Sequence, residues 1–187
     1  METDGAARLR GAMVSLRELT TRDLEMLRAF VNDPEVMRSS SVYTPVSDVQ
    51  QEAWFKTATS NHHAVWFGIE DIRTDHARLV GTCCLVDIDW VGRVAELRVR
   101  IGAKEVWGAG LGTDACAVLL AFGFEDLNLE RIGLRVWGKN VRAQRVYEKL
   151  GFIVEGRLRR AGYINGSVDD VVLMGLLRDE WRARRTK

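Results

Sequence analysis

The stretch that most constrains this chain is Gly108-Ala109-Gly110-Leu111-Gly112. It follows a strand-like run, Val94–Ile101, and a turn over residues 102–107; residues 113–124 then read as one buried helix. Three glycines at alternate positions let the backbone approach a ligand closely, because no Cβ stands in the way. The first N–H groups of the helix have no intrahelical partners, and its dipole adds partial positive charge there. Together these features describe a phosphate or pyrophosphate cradle. The same glycines would also serve a tight strand-to-helix turn that binds nothing. A Walker loop is excluded, because Gly112 is followed by Thr113 and Asp114 rather than Lys and Ser or Thr. The glycine spacing does not suit a dinucleotide fingerprint either.

The downstream sequence decides between cradle and turn. Arg131–Trp137 reads as a strand, Gly138-Lys139-Asn140 as a turn, and Val141–Leu150 as a helix that ends at Gly151. The segment Asn140-Val141-Arg142-Ala143-Gln144-Arg145-Val146-Tyr147-Glu148-Lys149-Leu150-Gly151-Phe152 closely resembles the second acyl-CoA motif of the GNAT family of N-acetyltransferases. That family's first motif reads Gln/Arg-x-x-Gly-x-Gly/Ala, and residues 107–112 match it except that Trp107 stands at the Gln/Arg position. An aromatic residue there resembles the branch that holds ribosomal-protein N-terminal acetyltransferases. Ala95-Glu96-Leu97, Gly123-Phe124, Leu127-Asn128-Leu129 and Ile164-Asn165-Gly166 are similar to the spermidine N-acetyltransferase type. The resemblance runs from Val14 to Met174.

The resemblance implies an α/β fold with a mixed, largely antiparallel sheet. A V-shaped splay would separate two parallel central strands, with helices on both faces. Residues 13–180 would form one N-acetyltransferase domain, after a disordered polar start (1–12) and before a basic tail (181–187); Arg178 to Lys187 read as a solvated helical end. The implied activity moves the acetyl group of acetyl-CoA, a cosubstrate, to a primary amine by direct attack in a ternary complex. The amine would belong to a small molecule, an amino acid, an amino sugar or a peptide N-terminus. A homodimer or higher homo-oligomer is also compatible with the resemblance. The alternative from another class is a CoA-binding module that has lost its chemistry.

By the same resemblance, the pantetheine arm would lie along the main chain of Val99, Arg100 and Ile101. Trp107, Gly108, Ala109, Gly110, Leu111, Gly112 and Thr113 would form the cradle, with Asn140, Arg142 and Tyr147 completing the cofactor site. Acetyl transfer to an amine also needs a base for the amine, donors for the developing oxyanion and an acid for the departing thiolate. Main-chain N–H groups near Val99 to Ile101 could serve as the donors. Tyr147 is the candidate acid, since a phenol is protonated at neutral pH, and its presence argues against the inactive module. Asn140 would cap the helix.

Glu96 is the candidate base. Strict alternation places it on one face with Arg98 and Arg100, where two guanidinium groups would make it a poorer base. A β-bulge in the strand would separate them, and a structural salt bridge is the competing role. Lys139, Arg142 and Arg145 are candidate phosphate partners. Cys116 falls inside the helix after the cradle and reads as buried rather than as a covalent acyl carrier.

Elsewhere the chain is ordinary. Val14–Glu18 reads as a strand, and Thr20 with Asp23 begins a helix with Leu24, Leu27 and Val31 on one face. Asn32-Asp33-Pro34 stops it, and Ser47 with Gln50 forms a capping box for a helix with Trp54, Phe55 and Ala58. Strands are expected near 64–70 and 79–88, and a hairpin at Asn165-Gly166. The segment 37–45 would border the acceptor and contains no carboxylate, which speaks against a polyamine. A formal net charge of +1 gives no argument for nucleic acid or a membrane surface. Cys83, Cys84 and Cys116 lack ligand spacing, as do His62 and His63, so no metal is expected, and reduced thiols suggest a cytoplasmic enzyme. Trp66 and Trp90 read as core or rim packing.

Overall fold

Seven strands form one sheet among the residues that the computed structural model describes, which are 9–38, 44–164 and 166–185. They are β1 (Val14–Glu18), β2 (Val65–Asp71), β3 (Arg78–Asp89), β4 (Val94–Ile101), β5 (Arg131–Trp137), β6 (Ile153–Ile164) and β7 (Ser167–Leu177), in the order β1-β2-β3-β4-β5-β7-β6. Every adjacent pair is antiparallel except β4 with β5. That parallel pair joins at only three rungs, from Val94 opposite Arg131 to Glu96 opposite Gly133. Beyond them β4 continues to Ile101 paired with β3 alone, and β5 continues to Trp137 paired with β7 alone. The sheet therefore opens into a V at its centre, leaving facing main-chain edges that an inserted chain could pair with.

The helices are α1 (Leu24–Asn32), α2 (Pro34–Arg38), α3 (Asp48–Ser60), α4 (Leu111–Ala121), α5 (Val141–Leu150) and α6 (Arg178–Arg185). Alternation along β2, β3 and β4 divides the two faces. Phe67, Cys83, Leu85 and Leu97 join the main core with Leu111, Ala115, Cys116 and Leu119 of α4. On the opposite face, Trp66 packs with Trp54 and Phe55 of α3 and Leu27 of α1. Local signals start these helices. Thr20, expected as a cap, forms a capping box with Asp23, and in the capping box expected at Ser47 the hydroxyl accepts the Gln50 N–H at 3.3 Å. Pro34 ends α1 but opens α2, as its fixed φ suits a first helical turn. The buried helix begins two residues earlier than the apolar run suggests and ends in a π turn, Phe122–Asp126.

Both ends of the described chain are tied down by residues far away in sequence. Residues 1–8 of the expected disordered start lie outside the described residues, whereas Leu9 packs on the core. Asp114, in the first turn of α4, accepts the N–H groups of Ala12, Met13 and Val14. The solvated helical end expected after residue 177 is overturned. Trp181 is buried against Phe124, with ring centroids 5.2 Å apart, and the Arg185 guanidinium lies over its ring. Arg178 is also buried, donating to the Leu129 carbonyl at 2.7 Å and to Asn128 Oδ1 at 2.6 Å. The hairpin forms with strands longer than the flanking runs 157–163 and 169–177 expected from the sequence; Gly166 has φ 73°, and Asn165 lies outside the described residues.

Candidate active site

The glycine stretch folds as a loop that leads directly into α4. Gly108 and Gly110 take φ of 87° and 92°, conformations that side-chain-bearing residues rarely adopt. Gly112 has ordinary helical geometry, and a Cβ there would meet only the Ile101 side chain, at 3.5 Å. No side chain among the described residues caps the N-terminus of α4. Among the described residues, no carbonyl accepts the N–H groups of Leu111, Gly112 and Thr113. An Arg142 Nη lies 3.3 Å from where a Gly108 Cβ would stand, bringing positive charge from α5 to the same place. Free N–H groups, a helix N-terminus and a guanidinium together fit a pyrophosphate. Trp107 anchors the loop, its indole N–H donating to the Ile101 carbonyl at 2.9 Å.

The second motif sits beside the cradle. Asn140 caps α5 by accepting the Ala143 N–H at 3.1 Å, and Gly151 ends the helix with φ 106°. Tyr147 packs edge-on against Phe152, with centroids 5.8 Å apart. Its hydroxyl has no hydrogen-bond partner among the described residues. Burial pushes the phenol pKa up, with the neighbouring Cys116 adding to the effect. Lys139 turns away to the Ser167 hydroxyl at 2.7 Å, so it does not join the cradle. Arg145 is exposed. Cys116 is fully buried and its thiol is pushed up to about 12, which leaves little thiolate for covalent chemistry.

On β4, the register with β3 is unbroken from Ile101 to Glu96. The bulge that would reset the alternation is absent from β4; the irregularity lies on β3, between Val86 and Asp89, where Asp87 has φ 52°. Glu96, Arg98 and Arg100 therefore share a face. Arg98 Nε donates to Glu96 at 2.7 Å, and its Nη2 reaches Asp87 at 3.4 Å. This face, beneath α1 and α3, floors a cleft of about 440 Å³. Phe30, Trp54 and Trp66 supply apolar wall, while Gln51, Thr82, Arg98 and Arg100 supply polar groups. No carboxylate lines it among the described residues. Part of the segment 37–45 expected at the acceptor, residues 39–43, lies outside them. Sequence reasoning missed Gln51 and Thr82, which carry no local motif. The only available signal was a polar residue on an otherwise apolar face of a strand or helix.

The family model for the acetyltransferase (GNAT) domain matches residues 14–153. The chain belongs to the GNAT acetyltransferases. This GNAT chain is 36% identical over 118 residues to a putative ribosomal N-acetyltransferase of Bacillus subtilis; that match spans 63% of this chain and 64% of the relative. It is 30% identical over 175 residues to the spermidine N(1)-acetyltransferase of Escherichia coli K12, covering 91% and 89% of the two chains. The crystal structure of spermidine N-acetyltransferase from Vibrio cholerae, in complex with CoA and spermine, superposes with a TM-score of 0.82 at 28% identity. That superposition covers 91% of the GNAT chain described here and 99% of the other.

Proposed function

We propose that this GNAT acetyltransferase moves the acetyl group of acetyl-CoA directly to a primary amine, of a small molecule or a peptide N-terminus, held in the cleft beneath α1 and α3. One observation carries the reading. The cradle opens toward α4 and the cleft opens on the other face, and the sheet parts between them beyond Glu96 and Gly133. Acetyl-CoA supplies an activated thioester. The free N–H groups at the start of α4, with Arg142, hold its phosphates. The main chain of Val99, Arg100 and Ile101 runs along its pantetheine arm and directs N–H groups at the developing oxyanion.

Glu96 does not line the cleft and is held by Arg98, so it accepts the amine proton through water, and Tyr147 holds a proton on its phenol oxygen for the departing thiolate. The buried Cys116 supports a ternary complex over an acyl-enzyme. An amino acid, an amino sugar or a peptide N-terminus suits the cleft better than a polyamine, whose several charges need several carboxylates. Three free, buried cysteines suit a reducing cytoplasm. The edge strand β6, with Ile153, Val154 and Leu158 exposed, is where a second copy would dock.

The test measures free-thiol release from acetyl-CoA across small amines and N-terminal peptides, alongside the melting temperature with and without CoA. CoA binds only the native state and so raises that temperature. Gly112→Glu removes the rise while preserving the fold, since a Cβ at this position meets only ordinary contact. Gly110→Asp abolishes it as well, with added backbone strain from the positive φ. An unchanged melting temperature at millimolar CoA in the unmodified protein sinks the reading.

A further inference from the structure

The cleft holds three polar groups that the fold leaves without partners. The Arg100 guanidinium makes no ion pair or hydrogen bond among the described residues, in contrast to Arg98, which is bound to Glu96 and Asp87. Arg100 is open to the cleft, yet the surrounding protein solvates it poorly and lowers its pKa from the usual arginine value. Gln51 and Thr82 are 6% and 8% exposed, and neither the carboxamide nor the hydroxyl has a hydrogen-bond partner among the described residues. Their polar atoms are not sealed in the interior, where among the described residues only Arg178 Nη2 lacks a partner, so Gln51, Thr82 and Arg100 keep hydrogen-bonding capacity that faces the cleft and is free for a ligand.

Their placement is coordinated. Thr82 and Arg100 are direct cross-strand partners, so their side chains rise side by side from one face. Gly68 stands beside Thr82 in the same rung and keeps the floor low, while Gln51 lines the cleft from α3. All three groups can donate hydrogen bonds, and a guanidinium fork matches the two oxygens of a carboxylate.

We propose that the acceptor amine also carries a carboxylate, which binds Arg100 with support from Thr82 and Gln51. This rests on the proposed acetyl transfer and narrows its substrate to amino-acid-like molecules. A single unpaired cation suits a monoanion; a phosphate dianion would call for Arg98 as well, and that charge is already engaged. The Trp54 and Trp66 rings, with centroids 5.1 Å apart, give the rest of the molecule an apolar wall. A polyamine would instead place its charges against two arginines.

The test pairs L-amino acids with their own carboxamides, which differ in the acidic group and through it in amine basicity, so each rate is expressed per free amine, and it adds benzylamine and spermidine as amines without a carboxylate. Each kcat/KM is measured by thiol release at one ionic strength. For at least one amino acid, kcat/KM exceeds that of its amide by about ten- to hundredfold, the scale of one charge-assisted pair. It also exceeds that of spermidine. Arg100→Met brings the acid-to-amide ratio to within about twofold of one, and Thr82→Val lowers it partway. The unmodified enzyme alone decides the first comparison should a variant misfold. If benzylamine or spermidine is acetylated but no amino acid outperforms its amide, the inference falls and the proposed activity stands. A ratio that Arg100→Met leaves unchanged also overturns it. If nothing is acetylated although CoA raises the melting temperature, the proposed activity falls and takes this inference with it.

Discussion

The indole N–H of Trp107 donates to the main-chain carbonyl of Ile101 at 2.9 Å, joining the start of the glycine cradle to the end of β4. The bond fixes where the cradle stands relative to the open edge of the sheet, so both halves of the cofactor site depend on it. Trp107→Phe keeps an aromatic ring and removes the donor. One such bond is worth about 1 kcal/mol. The dissociation constant for CoA therefore rises roughly fivefold, while the fold is retained. Calorimetric titration checks this, and an unchanged constant would show that the loop holds its place without Trp107.

Asp114 gathers three main-chain N–H groups of residues 12–14, the shortest at 2.7 Å. Asp114→Ala should destabilise the protein by about 2 kcal/mol, since partly buried donors lose an ionised acceptor. A Cβ at Gly11 would stand 2.5 Å from Asp114 Oδ2, so Gly11→Ala should displace the same carboxylate. The two changes act on one set of bonds, and the double variant should lose scarcely more than Asp114→Ala alone. Urea unfolding measures all three. Simple additivity would mean that Gly11 is needed for another reason.

Arg178 buries a charge whose side-chain hydrogen bonds go to neutral groups, the Leu129 carbonyl and the Asn128 side chain, while the half-exposed Glu130 carboxylate stands 3.7 Å from its Nη1. Its Nη2 has no hydrogen-bond partner among the described residues, and nearby Arg93 and Arg182 add repulsion. Removing the charge relieves both costs but strands the Leu129 carbonyl and Asn128 Oδ1. Two charge-assisted bonds at about 1.5–3 kcal/mol each should dominate, giving a net loss of about 2–3 kcal/mol for Arg178→Met. For a chain of this size that lowers the melting temperature by roughly 5 to 10 °C. A more stable variant would show that desolvation and repulsion outweigh the bonds.

Local chemistry accounts for what the sequence makes legible. Alternation and turn residues delimit β1, β4, β5 and α5 at their observed bounds, because caps such as Asn140 act over three or four residues. The cradle is readable for the same reason. Trp181 is misread because its helix is otherwise charged, and the aromatic partner that buries it, Phe124, comes from a distant turn. Asp114 looks like an ordinary first-turn acid, yet it binds Met13 across 101 positions of sequence. Gln51 and Thr82 become special only when α1 and α3 fold over β3 and β4 to make the cleft. The alternation that groups Glu96 with Arg98 and Arg100 is legible, but the register that preserves it depends on a bulge at Asp87 in the neighbouring strand.

Tyr147 yields the prediction that separates catalysis from packing. Its half-buried phenol packs against the core beside Cys116 and Phe152 with no hydrogen-bond partner among the described residues, and burial raises its pKa above the usual phenol value of about 10. Raising the pKa of a neutral acid favours its protonated form, so Tyr147 keeps its proton through the neutral and mildly alkaline range. Tyr147→Phe should lower kcat by about 10²-fold, the scale of one acid–base group. The loss should be the same at pH 7 as at pH 9. CoA affinity should change little, because the ring and its contact with Phe152 survive. The unmodified enzyme should show no alkaline fall in kcat below about pH 10 that Tyr147→Phe removes. Full activity in the variant would leave the residue as packing alone. An alkaline limb near pH 8 that disappears with the hydroxyl would show that Tyr147 titrates below the usual phenol range, against the direction its burial sets.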